Sequence, residues 1–481
     1  MNFMFYPSKN RLLILSVPLQ RLIRVLLFDG ILREFIIDHD VIIVSPFADD
    51  KIFQEEFSTP GLGFLKWEEP KAVPNPTRGF LALSSLLRLQ GFWRRYMRQG
   101  LDYLAVTSHI TFGENGNDTE KTLWRRMLLT GIGLIGVWPK AWRLFDALVG
   151  PRIFDFTELR ILSKSYDKIT LIQSTSWVLQ DQMLAWMARS NKWRKVMIPY
   201  TTDQVYLNGY LYSDFDVVCV QGPYEKQCAA TFHNIPEARI ASLGSVWFRH
   251  IDEIKQRIQN KQSFELGITQ RSRIIYAGTS SLYFPRVSEY LGLESLLKAI
   301  ETGELAGVEV IYRPLGENLE IRTEIVRKFG NVPNLIVQFA QQACYGLNLY
   351  GGGDQHAQLE EYVTQLLEAD LVVMCLATTL ALDAAHLGIP TIAYTGDPTG
   401  TLHRRHTHLC LDEDGRFYGF EAIPVVNSAR ELTQVIKDLL NDKGKAAHIA
   451  FQMAAQWDFP LTDFAKTLLM AVVGEEGAAV V

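Results

Sequence analysis

Short apolar runs alternate with amphipathic stretches along most of this 481-residue chain, and that alternation constrains the fold more than any other feature. The clearest instance is residues 371–399, LVVMCLATTLALDAAHLGIPTIAYTGDPT. This stretch predicts a buried strand, a sharp turn, a short helix that opens at Thr378 and Thr379, a stop at Gly388 and a second strand. Because strands and helices alternate in this way in βαβ units, the sequence predicts an α/β fold with parallel sheets.

Two series of apolar runs divide the chain. The first series predicts strands at 12–17, 41–45, 169–173, 196–199 and 217–221. The second predicts strands at 273–277, 309–312, 335–339, 371–376 and 390–394. The polar segment near 261–271 separates them, so we predict an N-terminal domain over 1–255, a C-terminal domain over 256–455, and a last helix within 456–481 that returns to the first domain. The carboxyl ends of both sets of strands are expected to face a cleft that holds the ligands.

Charge and cysteine content exclude several classes of protein. The net charge is −5 and the pI is about 6.1, so no global basic field indicates a nucleic acid partner. The five cysteines are scattered, without the spacing of a metal site or a disulfide framework, which is typical of a reducing cytoplasm. The apolar run at 12–19 is far shorter than the roughly 20 residues of a membrane span. We therefore expect a cytoplasmic protein.

Residues 80–156 depart from this rhythm, since aromatic and basic side chains recur there at helical spacing. Trp93, Arg94 and Arg95 are an example, followed by a similar group at 124–126. Such a helical insertion in the N-terminal domain either packs its aromatic rings inward with a solvated basic face, or lies at an anionic lipid surface on the inner face of the membrane. The sequence leaves both interpretations open.

The helix that opens at Thr378 and Thr379 is a candidate phosphate site. A helix that begins directly after a parallel strand directs its free backbone N–H groups and the positive end of its dipole to one place. Asp383 lies one turn into the helix, where its carboxylate is placed to bind a ribose or sugar hydroxyl. This segment therefore predicts half of a nucleotide pocket.

Two further strand ends supply candidate residues. Gly278, Thr279 and Ser280 follow the predicted strand at 273–277, and small residues there allow backbone N–H groups to approach an anion; an ordinary strand-to-helix turn is the alternative. Asp203 follows the strand that ends at 199 and is the candidate general base for an acceptor hydroxyl. Its alternative role is an Asx turn or a helix cap.

The order of these elements resembles a known enzyme family. The stretches YTTDQVYLNG (200–209) and SDFDVVCVQGPYEKQCAATFHNIPEARIASLGSVWF (213–248), followed by the 378–390 unit, resemble GT-B glycosyltransferase-like enzymes of bacterial surface-polysaccharide synthesis. The likeness is nearest to the CDP-glycerol glycerophosphotransferase group, which shares its architecture with UDP-N-acetylglucosamine 2-epimerases. Agreement in residue type is best at Gly222, His233, Ile235, Pro236, Gly244, Thr379, Gly388 and Pro390. The resemblance implies two facing Rossmann-like domains.

The chain departs from that group at two positions. Asp383 stands where a glutamate is usual, which keeps a carboxylate. Arg313 and Pro314 resemble an arginine-proline-histidine-proline stretch, so Arg313 is a candidate donor-binding residue, but Leu315 replaces the histidine. Leucine neither transfers a proton nor hydrogen-bonds a phosphate.

A basic loop further along is the candidate replacement for the missing histidine. His403, Arg404, Arg405 and His406 follow the strand that ends at Tyr394. The two arginines are predicted to bind the donor diphosphate and the two histidines to act in catalysis, because clustered cations neutralise a pyrophosphate leaving group. An exposed basic loop without a catalytic role is the alternative.

The resemblance implies a transferase that moves a glycosyl or polyol-phosphate group from a nucleotide-sugar or CDP-polyol donor to a lipid-linked or polysaccharide acceptor. Positioning and charge neutralisation suffice for this chemistry, so neither a metal nor another cofactor is expected. Two alternatives stay open: a nucleotide-sugar 2-epimerase on the same fold, and a catalytically degenerate binding protein in polysaccharide assembly.

Overall fold

The structure is a computed structural model. It describes residues 9–19, 22–27, 31–68, 156–175, 178–199, 215–233, 235–262, 271–279, 284–315, 319–339, 355–376, 379–396, 422–457 and 464–473, with positions 131, 134, 135, 144 and 205. The helical insertion predicted at about 80–156 lies almost wholly outside these residues. Both interpretations of that insertion therefore stay predictions.

The described residues form two compact units. Unit 1 contains those up to residue 247 together with 464–473, and unit 2 contains those from 248 to 339 and from 355 to 457. The division falls within a helix, Val246–Gln262. Each unit is built around one parallel sheet.

The strands and helices alternate as the apolar periodicity predicts. The strands of unit 1 are β1 (Arg11–Ser16), β2 (Asp40–Ser45), β3 (Leu62–Lys66), β4 (Lys168–Gln173), β5 (Arg194–Met197), β6 (Val217–Val220) and β7 (Ile240–Ser242). Those of unit 2 are β8 (Ser272–Ala277), β9 (Val308–Arg313), β10 (Leu335–Val337), β11 (Leu371–Cys375), β12 (Thr391–Tyr394) and β13 (Val425–Val426). The helices are α1 (Ile23–Leu26), α2 (Ile31–Asp38), α3 (Lys51–Phe57), α4 (Thr157–Ser163), α5 (Leu179–Ser190), α6 (Pro223–His233), α7 (Val246–Gln262), α8 (Arg286–Glu301), α9 (Leu319–Phe329), α10 (Gln355–Leu367), α11 (Leu380–His386), α12 (Ala429–Asn441), α13 (Lys443–Trp457) and α14 (Phe464–Val473).

Both sheets have the strand order of a Rossmann fold. The order is β3-β2-β1-β4-β5-β6-β7 in unit 1 and β10-β9-β8-β11-β12-β13 in unit 2. Neighbouring strands are parallel throughout both sheets. The direction of winding reverses between β1 and β4 in unit 1 and between β8 and β11 in unit 2, and ligands of open α/β sheets bind at such switch points. The predicted α/β class with two Rossmann-like units is confirmed.

The strands are apolar on both faces because helices cover each sheet on both sides. β11 is the clearest case, since all five of its residues are buried. In unit 1, the chain's last described helix joins the core: Leu468, Ala471 and Val472 of α14 pack with residues of β1, β2 and β6. This packing places α14 in unit 1, although its sequence lies more than 200 residues beyond the rest of that unit's core.

One sequence interpretation is wrong and two strands were missed. Proline and glycine at 60–76 favour a long loop, but β3 begins at Leu62, directly after a turn in which Gly61 has φ +87°. The strand pairs with β2 from Val41 to Ser45, which supplies the partner that local composition does not reveal. β7 and β13 are three and two residues long, too short for a periodic signal.

Candidate functional site

The carboxyl edge of the unit 2 sheet brings together five of the predicted site residues. Gly278 and Thr279 directly follow β8, and Arg313 is the last residue of β9. Thr379 is the N-cap of α11 and Asp383 lies in the first turn of that helix. Gly278, Thr279, Thr379 and Asp383 lie beside the switch point between β8 and β11, and Arg313 ends the neighbouring strand β9. The remaining predictions lie outside the described residues and stay predictions: Asp203, Ser280, Thr378, His403, Arg404, Arg405 and His406.

A buried glutamate that the sequence reasoning missed organises the end of β8. Glu289 of α8 is fully buried, and its carboxylate accepts hydrogen bonds from the Tyr312 hydroxyl at 2.5 Å and from Nη1 of Arg286 at 3.1 and 3.2 Å. Burial raises the pKa of Glu289, and the Arg286 guanidinium opposes that rise. Nothing in the local sequence signals this carboxylate, because glutamate on a helix is usually exposed.

Glu289 gives Gly278 a reason to be glycine that differs from the predicted one. A Cβ atom at position 278 would lie 2.2 Å from Oε1 of Glu289, so the carboxylate occupies the space that a side chain would need. The backbone N–H of Gly278 donates to the Arg313 carbonyl at 2.9 Å, and the backbone N–H of Thr279 is hydrogen-bonded to Glu289. The end of β8 is therefore held by protein groups.

Arg286 is the cation nearest this edge that sequence reasoning missed. Its Nη1 contacts Glu289, and its Nη2 donates to the backbone carbonyl of Leu315 at 3.3 Å. The side chain is 15% exposed. Arg286 thus connects the buried Glu289 to the backbone at Leu315, the position where the resemblance implies a histidine. The sequence offered one signal for Arg286: it is the first residue of the helix that follows β8.

A tyrosine joins two of the predicted donor-binding residues. The guanidinium of Arg313 lies over the ring of Tyr362, 4.9 Å from its centroid, and Nη1 donates to Oε1 of Gln365 at 2.6 Å. The Tyr362 hydroxyl donates to Oδ2 of Asp383 at 2.6 Å. Burial lowers the pKa of Arg313. Residues that are 70 positions apart in sequence are thus coupled through α10, which no local pattern predicts.

The turn from β11 into α11 includes residues 377–378, which lie outside the described residues, whereas Leu376 before it and Thr379 after it are described. Leu376 has φ +65°, a left-handed conformation that costs roughly 1–2 kcal/mol for a non-glycine residue, and its buried side chain offsets that cost. Thr379 is exposed and its side chain makes no capping hydrogen bond, so its hydroxyl is not used by the helix. Gly388 has φ +80° and ends the helix, as predicted.

The switch point of unit 1 holds a second carboxylate that the sequence reasoning missed. Asp181 is 1% exposed and accepts hydrogen bonds from the Ser16 hydroxyl, from the Thr175 hydroxyl and from the Thr175 backbone N–H at 3.2 Å. Gln180 donates to Oγ of Ser16 at 2.9 Å and to the Val44 carbonyl at 2.8 Å. Burial raises the pKa of Asp181 to about 7. This network connects the ends of β1, β2 and β4.

The described part of the chain contains neither a candidate metal cluster nor a membrane-spanning helix. Within it, no group of three His, Cys, Asp or Glu side chains is placed to hold a metal ion. No helix in the same residues is both long enough and apolar enough to cross a membrane. The cysteines at 219, 228 and 375 are buried and form no disulfide within the described residues.

Comparison with solved structures shows the fold. The chain is similar to the UDP-GlcNAc 2-epimerase of Neisseria meningitidis bound to UDP-GlcNAc, with 9% identity, a TM-score of 0.50 and coverage of 97% of this chain and 100% of that one. It is equally similar to a candidate UDP-N-acetylglucosamine 2-epimerase of Listeria monocytogenes, with 11% identity, a TM-score of 0.50 and coverage of 97% and 96%. No protein-family model matches the sequence, and no curated protein matches it either. The chain therefore has the two-unit GT-B fold that its motifs resemble.

Proposed function

We propose that this protein is a transferase that moves a glycosyl or polyol-phosphate group from a nucleotide-activated donor to a polysaccharide or glycolipid acceptor. The observation that carries the proposal is the strand order of unit 2, whose switch point lies between β8 and β11. In this type of sheet the nucleotide binds outside the carboxyl ends of the strands at the switch point. Thr279, Thr379 and Asp383 all lie at that place.

The donor would be held by groups of complementary charge. The exposed Thr379 hydroxyl is suited to bind a donor phosphate. Asp383 would bind a ribose or sugar hydroxyl, with its carboxylate oriented by Tyr362. The loop containing His403, Arg404, Arg405 and His406 would stabilise the leaving diphosphate, and Asp203 would deprotonate the acceptor. With these groups in place, no metal or other cofactor is required by the proposal.

Nucleotide binding is the first test. The full chain is titrated with UDP, CDP, UDP-GlcNAc and CDP-glycerol, and the melting temperature and dissociation constant are measured. Asp383→Asn is expected to weaken binding about tenfold, since it replaces a charged hydrogen-bond acceptor with a neutral amide. Asp438→Asn is the matched control, because Asp438 lies on α12 of the same unit and its carboxylate accepts an exposed hydrogen bond from Gln434 at 2.8 Å. Failure of all four nucleotides to bind would contradict the proposal.

A nucleotide-sugar epimerase is the second candidate function. The observation that favours it is the fold likeness to an epimerase that binds UDP-GlcNAc. An epimerase isomerises the donor without an acceptor, whereas a transferase releases nucleotide only when an acceptor is present. Chromatography of the donor with and without a lipid-linked acceptor separates the two. Nucleotide binding without either reaction would favour the third candidate, a binding protein of polysaccharide assembly.

A further inference from the structure

Two tyrosines meet one glutamate near the ends of β8 and β9. Tyr276 and Tyr312 are paired in register on these two strands, and both are fully buried. Each hydroxyl donates to Glu289 of α8, but to a different group. The Tyr276 hydroxyl donates to the backbone carbonyl at 2.8 Å, and the Tyr312 hydroxyl donates to Oε1 of the carboxylate at 2.5 Å. One contact therefore fixes the backbone of α8, and the other fixes the carboxylate.

The strand order alone does not require a carboxylate at this place. β1 has the same position in the unit 1 sheet as β8 has in the unit 2 sheet, with the switch point on one side. The helix that follows β1 is α1, and it has no acidic residue in its first turn. Leu22, Ile23 and Leu26 are buried there instead. Apolar side chains therefore suffice to pack the corresponding helix of unit 1.

The surroundings of Glu289 pair its charge with a single kind of partner. Burial raises the pKa of Glu289, and the guanidinium of Arg286 is the charged group beside it. Tyr276, Tyr312 and Cys375 lie around it on β8, β9 and β11, and burial raises the pKa of each, so all three stay neutral. A buried ion pair adds little net stability compared with apolar side chains of the same volume, although it is costly to break. Stability alone therefore does not account for this carboxylate.

The carboxylate connects the segments that follow β8 and β9. It accepts the backbone N–H of Thr279, which lies beside the switch point. It also accepts Nη1 of Arg286, whose Nη2 donates to the backbone carbonyl of Leu315 after β9. Gly278 leaves the space that the carboxylate fills, since a Cβ atom there would lie 2.2 Å from Oε1. Glu289 thus sets the position of one strand end relative to the other.

We propose that Glu289 is a positioning residue of the nucleotide site of unit 2, where its carboxylate holds the two strand ends that border the donor. This role rests on the function proposed above, since it assigns Glu289 to the same site. Glu289 is fully buried, so it acts through the backbone at Thr279 and through Arg286. Hydrogen bonds to a charged acceptor are shorter and stronger than those to a neutral one. Nucleotide binding is therefore expected to depend on the charge of this side chain and not only on its size.

Glu289→Gln tests this role, because it keeps the size of the side chain and removes its charge. Isothermal titration measures the affinity of the full chain for UDP, CDP, UDP-GlcNAc and CDP-glycerol between pH 8 and pH 5. At pH 8 the variant is expected to bind about tenfold more weakly than the original chain. As the pH falls through the raised pKa of Glu289, the original chain loses the same charge, so the ratio of the two affinities should shrink. A merely structural role would lower the melting temperature of the variant and leave that ratio independent of pH.

Tyr312→Phe and Tyr276→Phe separate binding from folding. Each removes one buried hydroxyl from paired positions on neighbouring strands. Tyr312→Phe takes a donor from the carboxylate and is expected to weaken nucleotide binding several-fold. Tyr276→Phe leaves a backbone carbonyl and the Cys375 thiol without that hydroxyl, and affinity is expected to stay within about twofold.

Two results would overturn the role of Glu289 alone while the original chain still binds nucleotide. One is unchanged affinity in Tyr312→Phe, and the other is an equal loss of affinity in the two tyrosine variants. Neither result depends on whether Glu289→Gln folds. If the original chain binds none of the four nucleotides, the proposed function fails and the role of Glu289 fails with it.

Discussion

Asp181 in unit 1 and Asp383 in unit 2 occupy the same place in two sheets of the same order. Each lies in the first turn of the helix that follows the strand beside the switch point, β4 in unit 1 and β11 in unit 2. Asp181 accepts hydrogen bonds from Ser16 and Thr175, at the ends of β1 and β4. Asp383 instead accepts a hydrogen bond from Tyr362, on the neighbouring helix α10.

This difference shows how one strand order can serve two purposes. In unit 1 the carboxylate ties the two strand ends together, because the Ser16 and Thr175 side chains and the Thr175 backbone N–H all donate to it. In unit 2 the Tyr362 hydroxyl donates to Asp383 from the neighbouring helix. Thr379, at the start of α11, is exposed. The nucleotide is therefore proposed to bind unit 2. Variants at and around the two carboxylates test whether Asp181 is structural and whether Asp383 belongs to a ligand site.

Removing the unit 1 carboxylate is expected to have the largest effect. Asp181→Ala leaves the Ser16 and Thr175 hydroxyls and one backbone N–H buried without their acceptor, which costs about 4 kcal/mol of unfolding free energy. Hydrogen exchange measured by mass spectrometry checks this, because peptides covering β1 and β4 should lose protection while those covering β8 and β11 keep it. Equal loss in both units, or none, would contradict a structural role confined to unit 1.

The same carboxylate predicts a pH dependence of unit 1. The pKa of Asp181 is raised to about 7 by burial, so the folded state binds the proton more tightly than the unfolded state, whose pKa is about 3.9. The stabilising contribution of the protonated Asp181 is therefore fully present below about pH 4. It falls as the pH rises towards about 7, by up to roughly 1.4 kcal/mol of unfolding free energy per pH unit. Exchange protection of β4 at pH 5 and pH 7.5 measures this fall. Asp181→Asn should remove that contribution, and an unchanged pH profile in this variant would assign the fall to other groups.

The strands were predictable because their signal is local. Five-residue runs such as 371–375 are apolar at every position, which is required of a strand buried on both faces. The same segment revealed Asp383, since it directly follows a strand and a turn. These inferences needed only neighbouring residues.

The supporting groups of the site were not predictable for the opposite reason. Asp181, Glu289 and Tyr362 lie on helices, where burial depends on which face meets the sheet. The sequence around Asp181, LQDQML, is as polar as an exposed helix surface. Only the packing of the folded chain buries the carboxylate against Ser16, which is 165 residues away. Gly278 combines the two. The sequence predicted that a small residue is needed at this position, but it did not reveal that the Glu289 carboxylate is the reason.

A smaller effect is expected at the unit 2 edge from Gly278→Ala. The new methyl group would lie 2.2 Å from Oε1 of Glu289, and relieving that clash costs about 2 kcal/mol. Gly444→Ala in α13 is the control, because the nearest atom to its Cβ is 3.3 Å away and alanine favours a helix. Thermal unfolding compares the two variants. If Gly278→Ala is as stable as Gly444→Ala, Glu289 does not fix the end of β8.

Tyr362→Phe is the smallest change and the sharpest test of Asp383. It removes the hydroxyl that donates to Asp383, at a cost of about 1 kcal/mol. It keeps the aromatic face under the Arg313 guanidinium, so that contact is preserved. If Tyr362 orients Asp383 for a ligand, the variant stays folded and yet binds nucleotide more weakly than the original chain. Isothermal titration measures that affinity. Thr364→Ala on the same helix removes only a local hydrogen bond to Glu360 and should leave affinity unchanged. Equal affinities in the two variants would make the Tyr362–Asp383 pair structural, the role predicted for Asp181 in unit 1.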